Sequence, residues 1–199
     1  SDWELIRTCP MPVLLVRTAR KYAKPKLVAA LDPQHAHDKP ASLDRTLLAT
    51  AASLASALGG ELHAAHAYKP YPYFAPGYPG EYVSLTQVAP EIEREHRDKL
   101  ASALAKLSAT ASIPKARQHL ALGDPTEALP TLAKKLGASI VVMGAVSRSG
   151  LRRLFIGHTA QKVLERMPCD VLVVKPKSFK SPISKTSRPF GPITGFTVY

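Results

Sequence analysis

A glycine-bordered loop in the second half of the chain has the residue types and spacing to bind a phosphate group. Gly144 ends an apolar stretch, ASIVVMG, and Gly157 opens an amphipathic stretch. A helix that begins at Gly157 offers the backbone amides of His158, Thr159 and Ala160, together with the positive end of the helix dipole. Gly157 has no Cβ, so an anion can approach this backbone closely, and Gly144 lets the chain turn sharply out of a buried strand. The spacing therefore predicts an anion site at the start of this helix.

Two interpretations of this loop stay open at the level of sequence. Three arginines flank it, and they either neutralise a bound anion or are simply solvated: Arg148, Arg152 and Arg153. In the same way, the glycines at 144, 150 and 157 are either built for a ligand or are the turn and cap glycines of an α/β fold.

Common catalytic motifs are absent from the sequence. It contains no Gly-x-x-x-x-Gly-Lys-Ser/Thr loop, no Gly-x-Gly-x-x-Gly, no Gly-x-Ser-x-Gly elbow and no His-Glu-x-x-His pair. We therefore expect a binding protein without enzymatic activity.

Several histidines are candidate metal ligands. Asp32, His35 and His37 cluster in sequence, which suits either a metal or general-base site or an ordinary polar loop after a strand. His63 and His66 stand three apart in a strand-like stretch, so they point to opposite faces and cannot bind one ion together. His96 falls on the apolar stripe of a helix, where packing is expected. No metal site is predicted.

An aromatic, proline-rich segment covers residues 68–82. It holds six aromatic side chains: Tyr68, Tyr71, Tyr73, Phe74, Tyr78 and Tyr82. It is either a stiff loop that packs on its own domain or a lid over an apolar ligand or partner. The second interpretation makes the chain a carrier of an apolar small molecule or an interaction module.

The formal charge of +12 is concentrated in two acid-free segments, residues 5–31 and 171–199. No helix-turn-helix or aromatic-interleaved basic sheet accompanies it, so we expect a solvated linker and tail and no specific nucleic-acid partner.

No apolar run is long enough for a bilayer span, and no secretory signal is recognisable. Cys9 and Cys169 lack metal or redox spacing and are expected to be free thiols. These features predict a cytoplasmic protein without a membrane partner.

Hydrophobic periodicity predicts strands and helices in strict alternation. Strands are expected at 26–32, 61–68, 115–122, 138–144 and 170–175, and helices at 41–58, 90–109, 124–137 and 157–166. For the third helix we predict Asp124 as N-cap, Pro125 at the first position, Glu127 as the reciprocal capping-box acid and Gly137 as C-cap. Right-handed crossovers then give an α/β fold with a doubly wound, five-stranded parallel sheet. Ligands bind at the carboxyl ends of such strands, and here that edge carries Asp32 and the 144–158 loop.

A repeated phrase indicates an internal duplication. CPMPVLLVR at residues 9–17 resembles MPCDVLVVK at residues 167–175, 158 positions later. Chance similarity of two apolar strings is one explanation. The other is that residues 1–17 are the terminal helix end and strand of a preceding, mostly absent repeat. Residues 18–25 are then a basic linker, 26–176 the domain itself and 177–199 a basic, proline-containing tail.

Three stretches together resemble the universal stress protein family: LVAALD at 27–32, GDPTEAL at 123–129, and residues 138–176 from ASIVVMG to DVLVVKP. The family pattern is Gly, two residues, Gly, nine residues, Gly, then Ser or Thr. This chain keeps the spacing from Gly144, but it has Ser147 at the second glycine and His158 at the hydroxyl residue, with Thr159 next. The resemblance is to the tandem type of the family and covers residues 26–176.

The resemblance implies an adenine-nucleotide-hydrolase-like fold and a site for ATP, with Mg²⁺, or for another adenine nucleotide. Carried over position by position, the nucleotide-binding residues are Ala30, Asp32, Met143, Gly144, Ser147, Gly157, His158 and Thr159. It also implies a stress-response role and antiparallel pairing of the strand at 170–175, either with PVLLVR of the same chain or between two chains. Ser147 adds a Cβ, which either narrows a triphosphate channel or sends the loop along a different path. A small-metabolite enzyme with Asp32 and His158 as polar actors is the weakest alternative, because nucleophile–base pairs are missing.

Overall fold

The computed structural model describes residues 2–19, 21–34, 43–69, 90–144 and 158–183. Its helices are α1 (Asp2–Thr8), α2 (Leu43–Ala57), α3 (Pro90–Ala109), α4 (Pro125–Leu136) and α5 (His158–Arg166). Its strands are β1 (Val13–Leu15), β2 (Lys26–Ala30), β3 (Glu61–Tyr68), β4 (Gln118–Leu122), β5 (Ile140–Gly144) and β6 (Asp170–Val174). Within these ranges the predicted alternation of strands and helices is confirmed.

The strands form one sheet in the order β1-β6-β5-β2-β3-β4. The five strands from β2 to β6 are parallel, as predicted, and β1 adds a sixth strand antiparallel to β6. The strands β5 and β6 are buried along their whole length, which explains their continuous apolar sequences. The chain thus has the doubly wound α/β fold expected from its sequence.

Two apolar layers cover the sheet. One joins α2 to the inward side chains of β2, β5 and β6, with Leu43, Leu47 and Leu104 fully buried. The other joins α5 and part of α1 to the opposite face, with Ile6 and Leu164 at its centre. Burial of such aliphatic side chains contributes roughly 1.5–3 kcal/mol each. Helices on both faces therefore fix the carboxyl ends of the strands as one exposed edge.

Helix α4 begins and ends largely as its sequence predicts. The Asp124 carboxylate accepts hydrogen bonds from the Thr126 amide at 3.0 Å and the Thr126 hydroxyl at 2.7 Å, and Gly137 adopts the left-handed C-cap conformation with φ 62°. The predicted reciprocal bond from Glu127 is wrong, because the Glu127 carboxylate forms an ion pair with Arg166 of α5 instead. An arginine brought close by the fold replaces the local capping partner.

Two further local predictions need adjustment. Residues 115–117, expected as the start of a strand, form one turn of 3₁₀ helix before β4. The segment 18–25, expected as a plain linker, is anchored by Asp170, whose Oδ1 accepts hydrogen bonds from the amides of Arg17 and Thr18. Tyr22 donates a further hydrogen bond to Oδ2 of the same carboxylate. This linker is therefore tied to the first residue of β6.

Glycine is required where α2 turns into β3. A Cβ on Gly60 would lie 2.3 Å from the carbonyl oxygen of Pro25, which no rotamer change can relieve because that atom belongs to the backbone. The close approach lets the Glu61 amide donate to the same carbonyl at 2.9 Å. This contact sets the start of β3 against β2.

Candidate functional site

The predicted site lies at the carboxyl edge of the sheet between β2 and β5, where the strand order changes direction. Strand β2 pairs with β3 on one side and with β5 on the other, both in parallel. The helices that follow β2 and β5 pack on opposite faces of the sheet, so the carboxyl ends of these two strands form the switch point at which ligands bind in folds of this type. Asp32 follows β2 at this edge, and α5 begins at the same edge after β5.

Asp32 is the main polar side chain of this edge. It is 3% exposed, and neither carboxylate oxygen has a hydrogen-bond partner in the part of the chain that the structure describes. Buried polar groups nearly always find partners, and leaving one without costs about 1–3 kcal/mol. As far as the described residues go, the Asp32 carboxylate is therefore a pair of acceptors without donors, suited to a ligand that brings N–H or O–H groups.

Neighbouring groups fix the backbone around Asp32. Its amide donates towards both oxygens of Asp44, each 3.3 Å away, from the first turn of α2. The Leu31 amide donates to the Ala65 carbonyl at 2.8 Å, and a ring nitrogen of His66 lies 3.0 Å from the Leu31 carbonyl. Helix α2 and strand β3 thus hold the residue pair 31–32, which positions the Asp32 side chain.

Asp44 and His66 are functional-site neighbours that sequence reasoning missed. Both are buried, with Asp44 1% and His66 7% exposed. Asp44 lies in the first turn of a helix that follows a strand ending in an acid, and this placement was the available signal. His66 gave none, because its partner belongs to another strand.

The residues carried over from the family take different places. Ala30 and Met143 are buried in the layer that contains α5, so they line the base of the edge through backbone and apolar atoms. His158 and Thr159 are the first two residues of α5, as the anion-site prediction requires, and the Thr159 side chain is exposed. Ser147, Gly157 and the three loop arginines lie outside the described residues.

Gly144 has a physical reason for its position that the sequence analysis did not predict. It is the last residue of β5 and pairs with Val174 of β6, and the turn predicted after it lies outside the described residues. A Cβ here would lie 2.8 Å from Cδ2 of Leu43, which is fully buried. Gly144 therefore makes room for the first residue of α2.

The structure describes some of the other residues that the sequence analysis singled out. His63 and His66 contact different partners on opposite faces, as predicted, and His96 is half-buried beside the Tyr68 ring, 5.9 Å between centroids. His35, His37 and the aromatic residues of 70–82 lie outside the described part of the chain. Within that part, no group of three or more His, Cys, Asp or Glu side chains is arranged to hold a metal.

Cys9 and Cys169 are both free, and burial raises the pKa of the Cys169 thiol to about 11.

The fold and this edge define a class of protein: a doubly wound α/β domain in which a buried carboxylate and a helix N-terminus lie at the carboxyl edge of the sheet. Residues 35–175 match the profile of the Universal stress protein family. The chain belongs to that family.

Relatives and solved structures agree with this assignment. The chain is 30% identical over 185 residues to universal stress protein E of Salmonella typhi, covering 92% of this chain and 57% of the relative. A functionally unknown protein from Pseudomonas aeruginosa PAO1 has a similar structure, with TM-score 0.68 and 28% identity over 88% of this chain and 56% of that one. The chain thus spans somewhat over half the length of these relatives.

A more distant structure shares the fold. It is a universal stress protein in complex with cAMP, with TM-score 0.51, 21% identity, and coverage of 75% of this chain and 96% of that chain. No described helix of the present chain is long and apolar enough to cross a membrane.

Proposed function

We propose that this chain is a non-enzymatic, ligand-binding unit of a cytoplasmic stress-response protein, and that it takes an adenine nucleotide at the edge between β2 and β5. Family membership supports the stress-response role. The observation that carries the ligand proposal is the buried Asp32 carboxylate, neither of whose oxygens has a donor within the ranges that the structure describes.

The chemistry of the edge suits a molecule with donors at one end and negative charge at the other. An adenine amino group or ribose hydroxyls would donate to Asp32. Phosphate oxygens would accept from the first amides of α5, where the helix dipole favours an anion. The exposed Thr159 hydroxyl is a further donor at the same helix start. When bound, Mg²⁺ would neutralise phosphate charge.

A distant family structure holds cAMP, a nucleotide with a single phosphate. Ser147 replaces a glycine of the family pattern, and a side chain there disfavours a long phosphate chain. We therefore expect ligands with fewer phosphates to bind at least as well as ATP.

The test is isothermal titration of the full chain with ATP, ADP, AMP and cAMP, each with and without Mg²⁺. The comparison is between the wild type, Asp32→Asn and the control Asp98→Asn, an exposed position on α3. We expect binding by the wild type and the control and at least about a tenfold loss of affinity in Asp32→Asn, since a hydrogen bond to a charged group contributes about 1.5–3 kcal/mol.

Absence of heat for all four nucleotides at millimolar concentration would overturn the nucleotide proposal. Equal affinity of the wild type and Asp32→Asn would remove Asp32 from the site. A nucleotide-hydrolysis assay on the same three proteins separates a binding protein from an enzyme, because turnover abolished by Asp32→Asn contradicts the non-enzymatic proposal. Lipid that co-purifies with the chain, seen by mass spectrometry, would favour the apolar-ligand alternative.

We also propose that residues 1–17 are the terminal helix and strand of a preceding repeat. Strand β1 pairs with β6 as Val13 with Val173, Leu14 with Leu172 and Leu15 with Val171. Leu14 and Leu172 are themselves 158 positions apart, the spacing of the repeated phrase. Leu14 and Leu172 therefore face each other at the centre of the antiparallel register, and each is the repeat equivalent of the other. A two-fold relation between the two copies requires such a symmetric register.

Reciprocal contacts across this pair support the same proposal. The Arg17 guanidinium donates to the Leu164 carbonyl in the last turn of α5. Its repeat equivalent, Lys175, donates to the Cys9 carbonyl just beyond α1. Each copy of the phrase thus ends in a cation that reaches the C-terminal end of the other copy's helix, where a positive charge is favourable.

Exposure of apolar side chains gives the third line of support. The apolar residues with exposed side chains in this segment are Leu5, Met11, Leu14 and Val16, and their repeat equivalents in the second copy, Val163, Cys169, Leu172 and Val174, are all buried. Val16 is 66% exposed, whereas Val174 is 1% exposed. A further sheet of the same family type beside β1 would cover the first set in the way that the two apolar layers of this domain cover the second.

A further inference from the structure

A histidine pair joins β3 to β4, the strand at the edge of the sheet opposite β1. Nδ1 of His63 lies 3.0 Å from Nε2 of His119. His63 is 7% exposed and His119 is half-buried. The pair lies towards the amino ends of both strands, away from the edge that carries Asp32. It is therefore not part of the proposed nucleotide site.

The ring geometry is that of a hydrogen bond between two imidazoles. The ring planes are only 20° apart, and the centroids are separated by 5.3 Å, about the sum of the 3.0 Å contact and the two ring radii. The rings therefore meet edge to edge rather than stacking face to face. The two lone-pair directions point at each other and not towards a common third point, which is what a shared metal ion would need. The pair shares a proton.

The number of protons on the pair decides whether this hydrogen bond exists. With both rings neutral, one nitrogen donates and the other accepts. When Nε2–H of His119 donates, Nδ1 of His63 accepts, and the single N–H of His63 is on its Nε2. That atom lies 3.7 Å from Oε2 of Glu61 and has no hydrogen-bond partner among the described residues. One added proton leaves the hydrogen bond possible, whereas a second places two N–H groups face to face and breaks it.

The charged surroundings oppose protonation. Arg117 of the 3₁₀ turn, Lys26 of β2 and Lys135 of α4 disfavour a positive charge on the rings, and Glu61 of β3 favours it. Burial lowers the pKa of His63, with further lowering by His119, Arg117 and Lys26. Burial also lowers the pKa of His119, with a contribution from Lys135. The hydrogen-bonded pair is consequently neutral at pH 7.

We propose that the His63–His119 pair is an acid-sensitive latch that holds β4 on the sheet near neutral pH and releases it as the pH falls. Released histidines regain ordinary pKa values near 6.5, so the open form binds more protons than the closed form below that pH. Acid therefore favours opening from about pH 6.5 downwards.

Strand β4 is suited to local opening. Among the strands that the structure describes it pairs only with β3, and none of its five residues is fully buried. Opening exposes the backbone of β3 from Ala64 to Tyr68, which pairs with β4 in the closed form. Acidification therefore leaves one edge of the sheet unpaired, and an unpaired edge is a surface on which another strand can associate.

The test is hydrogen exchange of the full chain, read by mass spectrometry between about pH 7.5 and 5 and corrected for intrinsic rates. Linkage predicts that the opening constant of residues 118–122 rises about tenfold per pH unit for each proton taken up. We expect a strong rise in the wild type, a clearly flatter dependence in His119→Gln, and no such rise for β5 in either protein. His96→Gln is the matched control and should behave as the wild type.

A second measurement does not depend on a folded variant. Nitrogen-15 spectra of the wild-type imidazoles should show His63 and His119 titrating in two coupled steps below the ordinary range, with one ring hydrogen-bonded through its N–H. The proposal is overturned if the two rings titrate independently near 6.5. It is also overturned if β4 exchange follows β5 at every pH, or if His119→Gln keeps the wild-type dependence.

Discussion

Two buried aspartates show how the same residue type serves opposite purposes in this chain. Asp170 is 1% exposed and accepts hydrogen bonds from the amides of Arg17 and Thr18 and from the hydroxyls of Thr18 and Tyr22. Asp32 is almost equally buried, but its carboxylate has no partner among the described residues. Asp170 stabilises the fold, whereas Asp32 is maintained at a free-energy cost that a ligand can offset.

Replacing Asp32 by Asn should raise stability in the absence of ligand. The variant removes a buried charge while keeping the side-chain shape, so we expect a gain of about 1 kcal/mol in the free energy of unfolding. Urea denaturation at pH 7 measures the gain, and Asp98→Asn should stay within about 0.5 kcal/mol of the wild type. A less stable Asp32→Asn would show that the carboxylate has a stabilising partner.

Replacing Tyr22 by Phe should lower stability in a pH-dependent way. The variant loses the hydrogen bond to the Asp170 carboxylate, which contributes about 2 kcal/mol at pH 7. Burial and Asp170 raise the pKa of Tyr22 from 10.0 to about 12, so the folded state keeps this proton longer than the unfolded state. The contribution is therefore fully present below pH 10 and is lost as the pH rises through about 12.

Urea titrations of the wild type and Tyr22→Phe at several pH values between about 7 and 12 measure this difference. The gap in the free energy of unfolding should narrow above pH 10, the pKa of an ordinary tyrosine. A gap that is constant over the whole range would contradict the assignment of the proton to Tyr22.

Sequence reasoning found the residues whose role follows from local position. Asp32 was identified because an acid after a buried strand lies at the binding edge, and the start of α5 was identified from helix periodicity. The role of Asp170 was not predicted, since its donors come from residues about 150 positions earlier in the chain. Contacts between distant segments have no signature in a single sequence.

At the level of elements, the contact between β5 and α2 gives Gly144 a role that sequence reasoning did not find. Gly144 ends β5 against Leu43, and an added Cβ would contact that side chain. The strands and helices themselves were predicted because their apolar patterns are strongly periodic. The reason for a glycine inside one of them depends on which helix packs there, and that is decided by the tertiary fold.

Replacing Gly144 by Ala should destabilise the domain. The new Cβ would lie 2.8 Å from Cδ2 of Leu43 and would force the start of α2 away from the sheet. Overpacking of this kind costs about 1–3 kcal/mol. Thermal unfolding of Gly144→Ala, Leu43→Ala and the double variant gives a double-mutant cycle. The double variant should be more stable than the sum of the two single effects predicts. Strict additivity would exclude this contact as the cause.

At the scale of the whole molecule, residues 5–16 carry an exposed apolar surface. Val16 and Met11 are each about two-thirds exposed and lie on either side of β1, the first strand of the described sheet. The similarity of the two phrases was visible in the sequence, but the symmetry of their pairing could be recognised only from the register. Sequence similarity alone does not specify which residues of two strands face each other.

Charged substitutions on this surface should reduce self-association of the isolated chain. We expect Met11→Glu and Val16→Glu together to lower the mass seen by light scattering at high concentration, with the free energy of unfolding changed by less than about 1 kcal/mol. Ile183→Glu is the matched control, because Ile183 is 61% exposed in the C-terminal segment. Unchanged association in the double variant, or an equal effect in the control, would contradict a specific interface at residues 5–16.

The opposite directions of β1 and β6 also determine where a second binding crevice would open. A sheet continued from β1 would have its strands running against those of β2 to β6. Its carboxyl ends would therefore emerge on the far side of the molecule from Asp32. Two nucleotides held by such a protein would be separated by the full height of the shared sheet, and neither could reach the other's phosphates.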